Sequence, residues 1–188
     1  NHQVKMMFLG NAVLEDPTPS GIGNYLGIIP DYNEEIFEQV KFFLEDIKYT
    51  GYANFDLKYD IKDNKYKFFE INLRQGRSSF FLTLNGVNLA EWLVRDYIYD
   101  DLKNDELLLV NIPKEKAKLW LNVSVGTFKK YAHASKDKDV ALKMIAEKRY
   151  GYTFYYEGDK NIKRYLLLQR MFRYYRKSFK KYSHLTGR

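Results

Sequence analysis

Phe55–Arg77, FDLKYDIKDNKYKFFEINLRQGR, is the stretch on which the reading of this chain turns. Residues 53–60 alternate and carry aromatic side chains. Ile61 to Lys65 brings the turn residues Asp63 and Asn64, and residues 66–73 are strand-like again, so the stretch reads as a β-hairpin. Side chains alternate between the faces of a strand. Glu70, Asn72 and Arg74 therefore share one face of the second strand, and Asp56, Lys58 and Asp60 one face of the first. Directly opposite residues of a hairpin lie on the same side. Asp56 joins Glu70 and Asn72 only if paired residue numbers sum to an even value. That parity predicts a loop of odd length, for instance Asp63-Asn64-Lys65, rather than a two-residue turn.

Such a face gathers two carboxylates, an amide oxygen and a guanidinium. Mg2+ takes oxygen ligands, usually one or two carboxylates plus phosphate oxygens. The planar fork of arginine suits phosphate or carboxylate. On spacing alone the simpler reading is a solvated hairpin face of ordinary charges.

The flanking sequence supplies a scaffold. Residues 4–14 read as a strand broken near Gly10-Asn11, and Tyr25 to Ile29 as a second short strand. Residues 15–24 between them, rich in proline and glycine, read either as a ligand-contact loop that includes Asn24 or as an ordinary surface loop. The Gly21-Ile22-Gly23 run leads into a strand and is no phosphate-binding signature. Residues 33–48 form a helix with Asn33 as N-cap and an apolar stripe of Ile36, Val40, Phe43, Leu44 and Ile47. Asn88 opens another helix, with Glu91 near the capping-box position and Leu89, Trp92, Leu93 and Tyr97 facing inward. The acidic pair Asp100-Asp101 at its end lacks a third ligand and reads as solvated charge. Residues 102–116 connect to a strand at 118–125, a helix at 137–149 with Val140, Met144 and Ile145 inward, and a strand at 151–156. The last helix, 160–183, carries the seam Tyr165, Leu168, Phe172, Tyr175, Phe179 and Tyr182.

Composition sets bounds. The 188 residues suffice for one large domain, or a domain with an appendage, and an apolar content of 45% supports a core. The absence of cysteine excludes disulfides, thiolate metal sites and a cysteine nucleophile. No apolar run is long enough to span a bilayer and no signal-peptide pattern opens the chain, so a cytoplasmic protein is expected. The chain starts with Asn1 and reads as a piece of a longer one. Residues 160–188 hold ten Lys/Arg and no Asp or Glu, whereas the other 159 residues carry a net −3. The basic character belongs to the tail, and the isoelectric point gives no ground for a nucleic-acid partner of the whole. The tail itself has three readings: packing on its own domain or on the mate in a homodimer, a peripheral contact with anionic lipid, or contact with nucleic acid, the first favoured.

Glu70-Ile71-Asn72-Leu73-Arg74 resembles the E-x-N-x-R strand of ATP-grasp ligases, a family in which an acidic residue on the preceding strand completes a metal site. Asp56 stands at that place. Gln75-Gly76-Arg77-Ser78-Ser79 and Thr83 with Gly86-Val87-Asn88-Leu89 are similar to the segment that follows in the family. Leu14-Glu15-Asp16, Thr18-Pro19, Gly21-Ile22-Gly23-Asn24-Tyr25 and Gly51 to Asp60 look most like carboxylate–amine ligases of the D-aspartate ligase type. The resemblance covers roughly the first hundred residues.

What the resemblance implies is specific. The fold class is α+β: an antiparallel sheet with packed helices over residues 1–105, as the C-terminal lobe of an ATP-grasp domain, then a smaller α/β appendage over 106–188 that ends in the long basic helix. The implied cofactors are ATP and two Mg2+ ions, with Glu70 as shared ligand, Asp56 on one ion and Asn72 on the other. Arg74 would hold the transferring phosphoryl group or the acyl phosphate, and Arg77 a substrate carboxylate. Lys58 and Asn24 are the nucleotide contacts, although the family position of Lys58 is often apolar. The implied reaction activates a carboxylate as an acyl phosphate, which an amine attacks to give an amide. The substrates would be D-aspartate or another amino acid and a peptidoglycan precursor. Rival readings are an enzyme like carbamoyl-phosphate synthetase or biotin carboxylase, and a non-catalytic module that binds membrane or a partner. The family's Gly-rich loop, phosphate-contacting lysine and adenine hinge precede the E-x-N-x-R strand and are not found here. The expectation is that a missing N-terminal part of the same enzyme supplies them, and that the 188 residues alone have no turnover and weak nucleotide affinity.

Overall fold

The computed structural model describes residues 2–21, 23–155, 158 and 161–185. The chain forms two compact units, each assembled from separate stretches: residues 1–9, 32–79 and 88–111 in the first, and 10–31, 80–87 and 112–188 in the second. The expected division at 105/106 therefore differs from the observed one, because residues 10–31 and 80–87 join the later part. The cause is packing: Leu14, Leu26 and Ile29 are buried in one cluster with Leu119, Leu121, Phe128 and Phe179. Sequence neighbours need not share a core.

In the first unit, α1 (Glu34–Asp46) begins where Asn33 accepts a hydrogen bond from the Ile36 N–H at 3.1 Å, with Glu34 and Glu35 in the first turn. Its buried face is Ile36, Phe37 and Val40, with Leu44 alongside. Phe43 and Ile47, expected in the stripe, are exposed. That face packs on β1 (Met6–Met7), which pairs in parallel with β6 (Leu108–Leu109), and on the hairpin of β4 (Asn54–Asp60) and β5 (Lys65–Asn72). The antiparallel sheet expected here is thus a two-stranded hairpin, with a separate two-stranded parallel pair. The Val4 N–H donates to Glu45 Oε1 at 3.0 Å and ties the start of the chain to the end of α1. Further on, α3 (Leu89–Val94) is capped by Asn88 and runs into a wider π-type turn over Arg95–Tyr99. Leu89 is buried, but Leu93 and Tyr97 are exposed, contrary to the sequence reading. The acids that follow are engaged: Asp101 and Asp105 with Arg95, at 2.8 and 2.6 Å, and Asp100 with Lys103.

The second unit is built on a four-stranded sheet in the order β2-β3-β7-β8, formed by β2 (Leu9–Glu15), β3 (Tyr25–Asp31), β7 (Leu119–Leu121) and β8 (Tyr150–Tyr152). β3 and β7 are antiparallel, and β7 and β8 parallel. α2 (Phe80–Leu84) lies against this sheet closely enough that a Cβ on Gly151 would stand 2.6 Å from a Leu84 methyl. α4 (Val125–Tyr131) was not foreseen; Ser124 caps it and Phe128 is fully buried. α5 (Lys136–Ala146) buries Ala141, Met144 and Ile145, while Val140 is exposed. α6 (Ile162–Tyr182) covers the unit with Leu168 and Phe179 buried, Phe179 stacked on Tyr131 at 4.8 Å and Phe172 against Tyr152 at 5.2 Å. Leu168, Phe172, Tyr175 and Phe179 of the expected seam thus pack inside their own unit, whereas Tyr165 is exposed. Ile22 of the glycine loop, Tyr156 of the expected last strand and Lys160 of the expected last helix lie outside the described residues.

Candidate functional site

The hairpin places Asp56 directly opposite Glu70 and Asn54 opposite Asn72, the even-sum register on which a shared face depends. It does so by a route the sequence reading did not anticipate. Asp60 pairs with Lys65, so the loop is Ile61-Lys62-Asp63-Asn64, four residues rather than an odd number, with Asn64 in the left-handed region at φ 56°. Near the loop the paired numbers are Leu57 with Phe68, Lys58 with Lys67 and Tyr59 with Tyr66. The register then slips by one between Asp56 and Leu57, and Phe69 is the extra residue of a β-bulge. The sequence shows why. Lys65-Tyr66-Lys67-Phe68 alternates charged and aromatic, the doublet Phe68-Phe69 breaks step, and Glu70-Ile71-Asn72 resumes in the opposite phase. Unbroken alternation would put Glu70 and Asn72 on the face of Tyr66 and Phe68. The bulge turns them to the charged side.

The two faces are accordingly distinct. Phe55, Leu57 and Tyr66 pack with the α1 core, and Phe55 meets Phe43 and Phe68 edge-on at 6.2 and 5.9 Å. The other face carries Asn54, Asp56, Lys58, Glu70 and Asn72. On it the Asn72 amide donates to Glu70 Oε1 at 2.9 Å, and Arg74 Nη2 donates to Asn72 Oδ1 at 3.2 Å. The flanking carboxylate and guanidinium fix which way the amide points. Arg74 Nη1 also donates to the Gln75 carbonyl at 3.0 Å. These two bonds hold the guanidinium in place and leave most of its five donors available for an anion. Lys58 is exposed on the same face, with Nζ 5.9 Å from the Phe69 ring centre.

After Asn72 the chain folds back over this face. Gly76 approaches Asn54 so closely that a Cβ would lie 2.4 Å from Asn54 Oδ1. Ser79 then closes a turn, its Oγ donating to the Gly76 carbonyl at 2.7 Å. Arg77 stands exposed in this turn, three residues beyond Arg74. The sequence gives Gly76 only as part of the segment Gln75-Gly76-Arg77-Ser78-Ser79 and assigns no role to Asn54. Asn54 could have been found, since it shares the phase of Asp56 on the same strand.

Of the expected site residues, Asp56, Lys58, Glu70, Asn72 and Arg74 thus come together on one ribbon, with Arg77 just beyond it. Asn24, the other expected contact, belongs to the second unit, where its N–H donates to the Gly21 carbonyl at 2.9 Å. Among the described residues no group of three His, Cys, Asp or Glu forms a metal cluster. The candidate set is instead two carboxylates and an amide. These hard oxygen donors suit Mg2+, and two acids facing each other across a strand pair repel unless a positive charge intervenes.

Comparison with known proteins identifies a relative of the chain. The chain is 53% identical to the D-aspartate ligase of Enterococcus faecium (strain Aus0004) over 185 residues, which is 98% of this chain and 44% of that protein. The chain thus spans less than half the length of the curated relative it matches. The kinship with the D-aspartate ligase type, expected over the first hundred residues, extends through the second unit and α6. No family model matches the chain, and no solved structure matches it.

Proposed function

We propose that this chain, a homologue of D-aspartate ligase along nearly its whole length, supplies the cation- and phosphate-facing ribbon of an ATP- and Mg2+-dependent carboxylate–amine ligase. One observation carries the reading: Asp56 stands in register with Glu70, and Glu70, Asn72 and Arg74 form one hydrogen-bonded run on that face. In this reading the first unit is the C-terminal lobe of an ATP-grasp fold.

Asp56, Glu70 and Asn72 would hold Mg2+, whose chemistry is to neutralise phosphate charge. Arg74, already anchored by Asn72 and Gln75, offers its remaining donors to the phosphoryl group in transit. Arg77 is the candidate for the substrate carboxylate, and Lys58 for a further phosphate contact. The γ-phosphoryl group of ATP passes to a carboxylate oxygen, giving an acyl phosphate and ADP. The amine nitrogen attacks the acyl carbon, the C–O bond to phosphate breaks with its electron pair leaving on inorganic phosphate, and the amine loses a proton as the amide forms. D-aspartate is one substrate and a peptidoglycan precursor the other.

The test is Glu70→Gln and Asn72→Ala in the intact ligase. Each removes a charge-stabilising group, and kcat/KM should fall by about a hundredfold to a thousandfold, equivalent to about 2.7–4 kcal/mol. The Mg2+ concentration needed for half-activation should rise in Glu70→Gln. Unchanged activity in both variants would reduce the ribbon to a solvated surface and favour an interaction module.

A further inference from the structure

α6 has two faces, and only the inner one is explained by packing. Leu168, Phe172, Tyr175 and Phe179 turn inward. On the opposite side, at helical spacing, stand Ile162, Leu166 and Leu167 near the N-terminus, 67%, 59% and 56% exposed, and Tyr174 further on at 55%. Between and beyond them come Arg170, Arg173, Lys177, Lys180 and Lys181, all exposed. The helix holds eight Lys/Arg and no acid. An outer helix face made only for water would carry charges of both signs and few aliphatic side chains. This one combines aliphatic groups with a single sign of charge.

We infer that the outer face of α6 docks the protein on an anionic lipid surface. Charge complementarity selects the partner. Residues 160–188 carry ten cations and no acid, eight of the cations on α6, against a net −3 elsewhere, so the excess positive charge is concentrated on this helix. The aliphatic groups decide between polyanions. A nucleic acid rewards basic residues and flat aromatic rings, but offers Ile162, Leu166 and Leu167 no apolar phase. A bilayer offers both: head groups for the lysines and arginines, whose stems reach along the interface, and acyl chains for the aliphatic turn. The helix would lie in the plane of the interface. Among the described residues no helix is long and apolar enough to cross a membrane. This inference does not rest on the ligase reading, and its test involves no ligase activity.

The test is co-sedimentation of the protein with vesicles of phosphatidylcholine alone and of phosphatidylcholine with about a quarter phosphatidylglycerol. Binding should be about tenfold tighter to the anionic vesicles and should fall as salt is raised. Two variants separate the contributions. Leu166→Glu with Leu167→Glu should weaken binding about tenfold or more at constant salt. Lys177→Gln, Lys180→Gln and Lys181→Gln together should remove most of the salt dependence. All five positions are exposed, and far-ultraviolet circular dichroism confirms that the helix persists; the wild-type lipid and salt comparison stands on its own if a variant misfolds. Equal or absent binding on the two vesicle types would overturn the inference. So would unchanged binding of the folded Leu166→Glu, Leu167→Glu variant, or tighter capture by a single-stranded oligonucleotide than by anionic vesicles.

Discussion

Inserting one serine between Asp56 and Leu57 tests the bulge directly. The inserted residue would pair with Phe69 and convert the hairpin to unbroken alternation, with Leu57 still opposite Phe68 and Asp56 still opposite Glu70. Beyond the insertion every side chain changes sides: Phe55 and Ile71 turn outward, and Asp56, Glu70 and Asn72 turn toward α1. Ile71 is already 43% exposed and loses little. Phe55 is half-buried between Phe43 and Phe68, and turning it to water forfeits about 1–2 kcal/mol. Setting two carboxylates against the apolar face adds about 1–3 kcal/mol each. The sum, about 3–8 kcal/mol, is a large part of the stability of a small unit. Deleting Phe69 gives the contrast. It also removes the bulge, but it leaves Asp56 opposite Glu70 and both on the charged face. Its cost is an exposed ring and the Lys58 contact, about 0.5–1 kcal/mol. Urea unfolding followed by circular dichroism, with amide exchange over residues 54–72, measures both. If the insertion is tolerated within about 1 kcal/mol while the deletion opens the hairpin, the assignment of faces is wrong.

Two further predictions follow from single contacts. Gly76→Ala forces Asn54 to rotate and should cost about 1–2 kcal/mol; adding Asn54→Ala should recover most of this, since the two Cβ atoms would then stand 3.7 Å apart, and a double-mutant cycle in urea shows no coupling if the close approach is absent. Glu45 accepts hydrogen bonds from Lys41 at 2.6 Å and from the Val4 N–H at 3.0 Å, and the Lys41 bond above all holds its carboxyl below the ordinary 4.5. A depressed carboxyl contributes stability above its unfolded value and loses it as pH falls through the folded one. Glu45→Gln should therefore be less stable than the wild type at pH about 7, by about 0.3–0.5 kcal/mol, and indistinguishable from it well below pH 4.5, as thermal melts across that range will show.

Much of this was legible in the sequence where local rules govern. Asn33 and Asn88 cap the helices they were expected to cap. The hairpin stands where alternation put it, and the charged set at 56, 58, 70 and 72 shares a face. What escaped depends on contacts distant in the chain. Alternation points to an odd-length loop, but two parity changes, a four-residue loop and one extra residue, cancel in the register, and only the Phe68-Phe69 doublet hints at the second. Phe43 and Ile47 fit the helical stripe of α1, but its packed face is narrower and uses Phe37 instead. α2 and α4 span five and seven residues, too few turns for periodicity to register. The interleaving of the two units follows from which core receives Leu14, Leu26 and Phe81, and alternation says only that such residues are buried.

The proposed ligand set Asp56, Glu70 and Asn72 can be probed with a divalent cation directly. Mn2+ serves as a paramagnetic substitute for Mg2+, and amide spectra recorded during its titration report where it sits. If these side chains hold the ion, broadening starts at residues 54–56 and 70–74, is reversed by excess Mg2+ and is lost in Glu70→Gln. Broadening that starts instead at the acids around Asp100–Asp105, or that is unchanged in Glu70→Gln, would contradict that assignment.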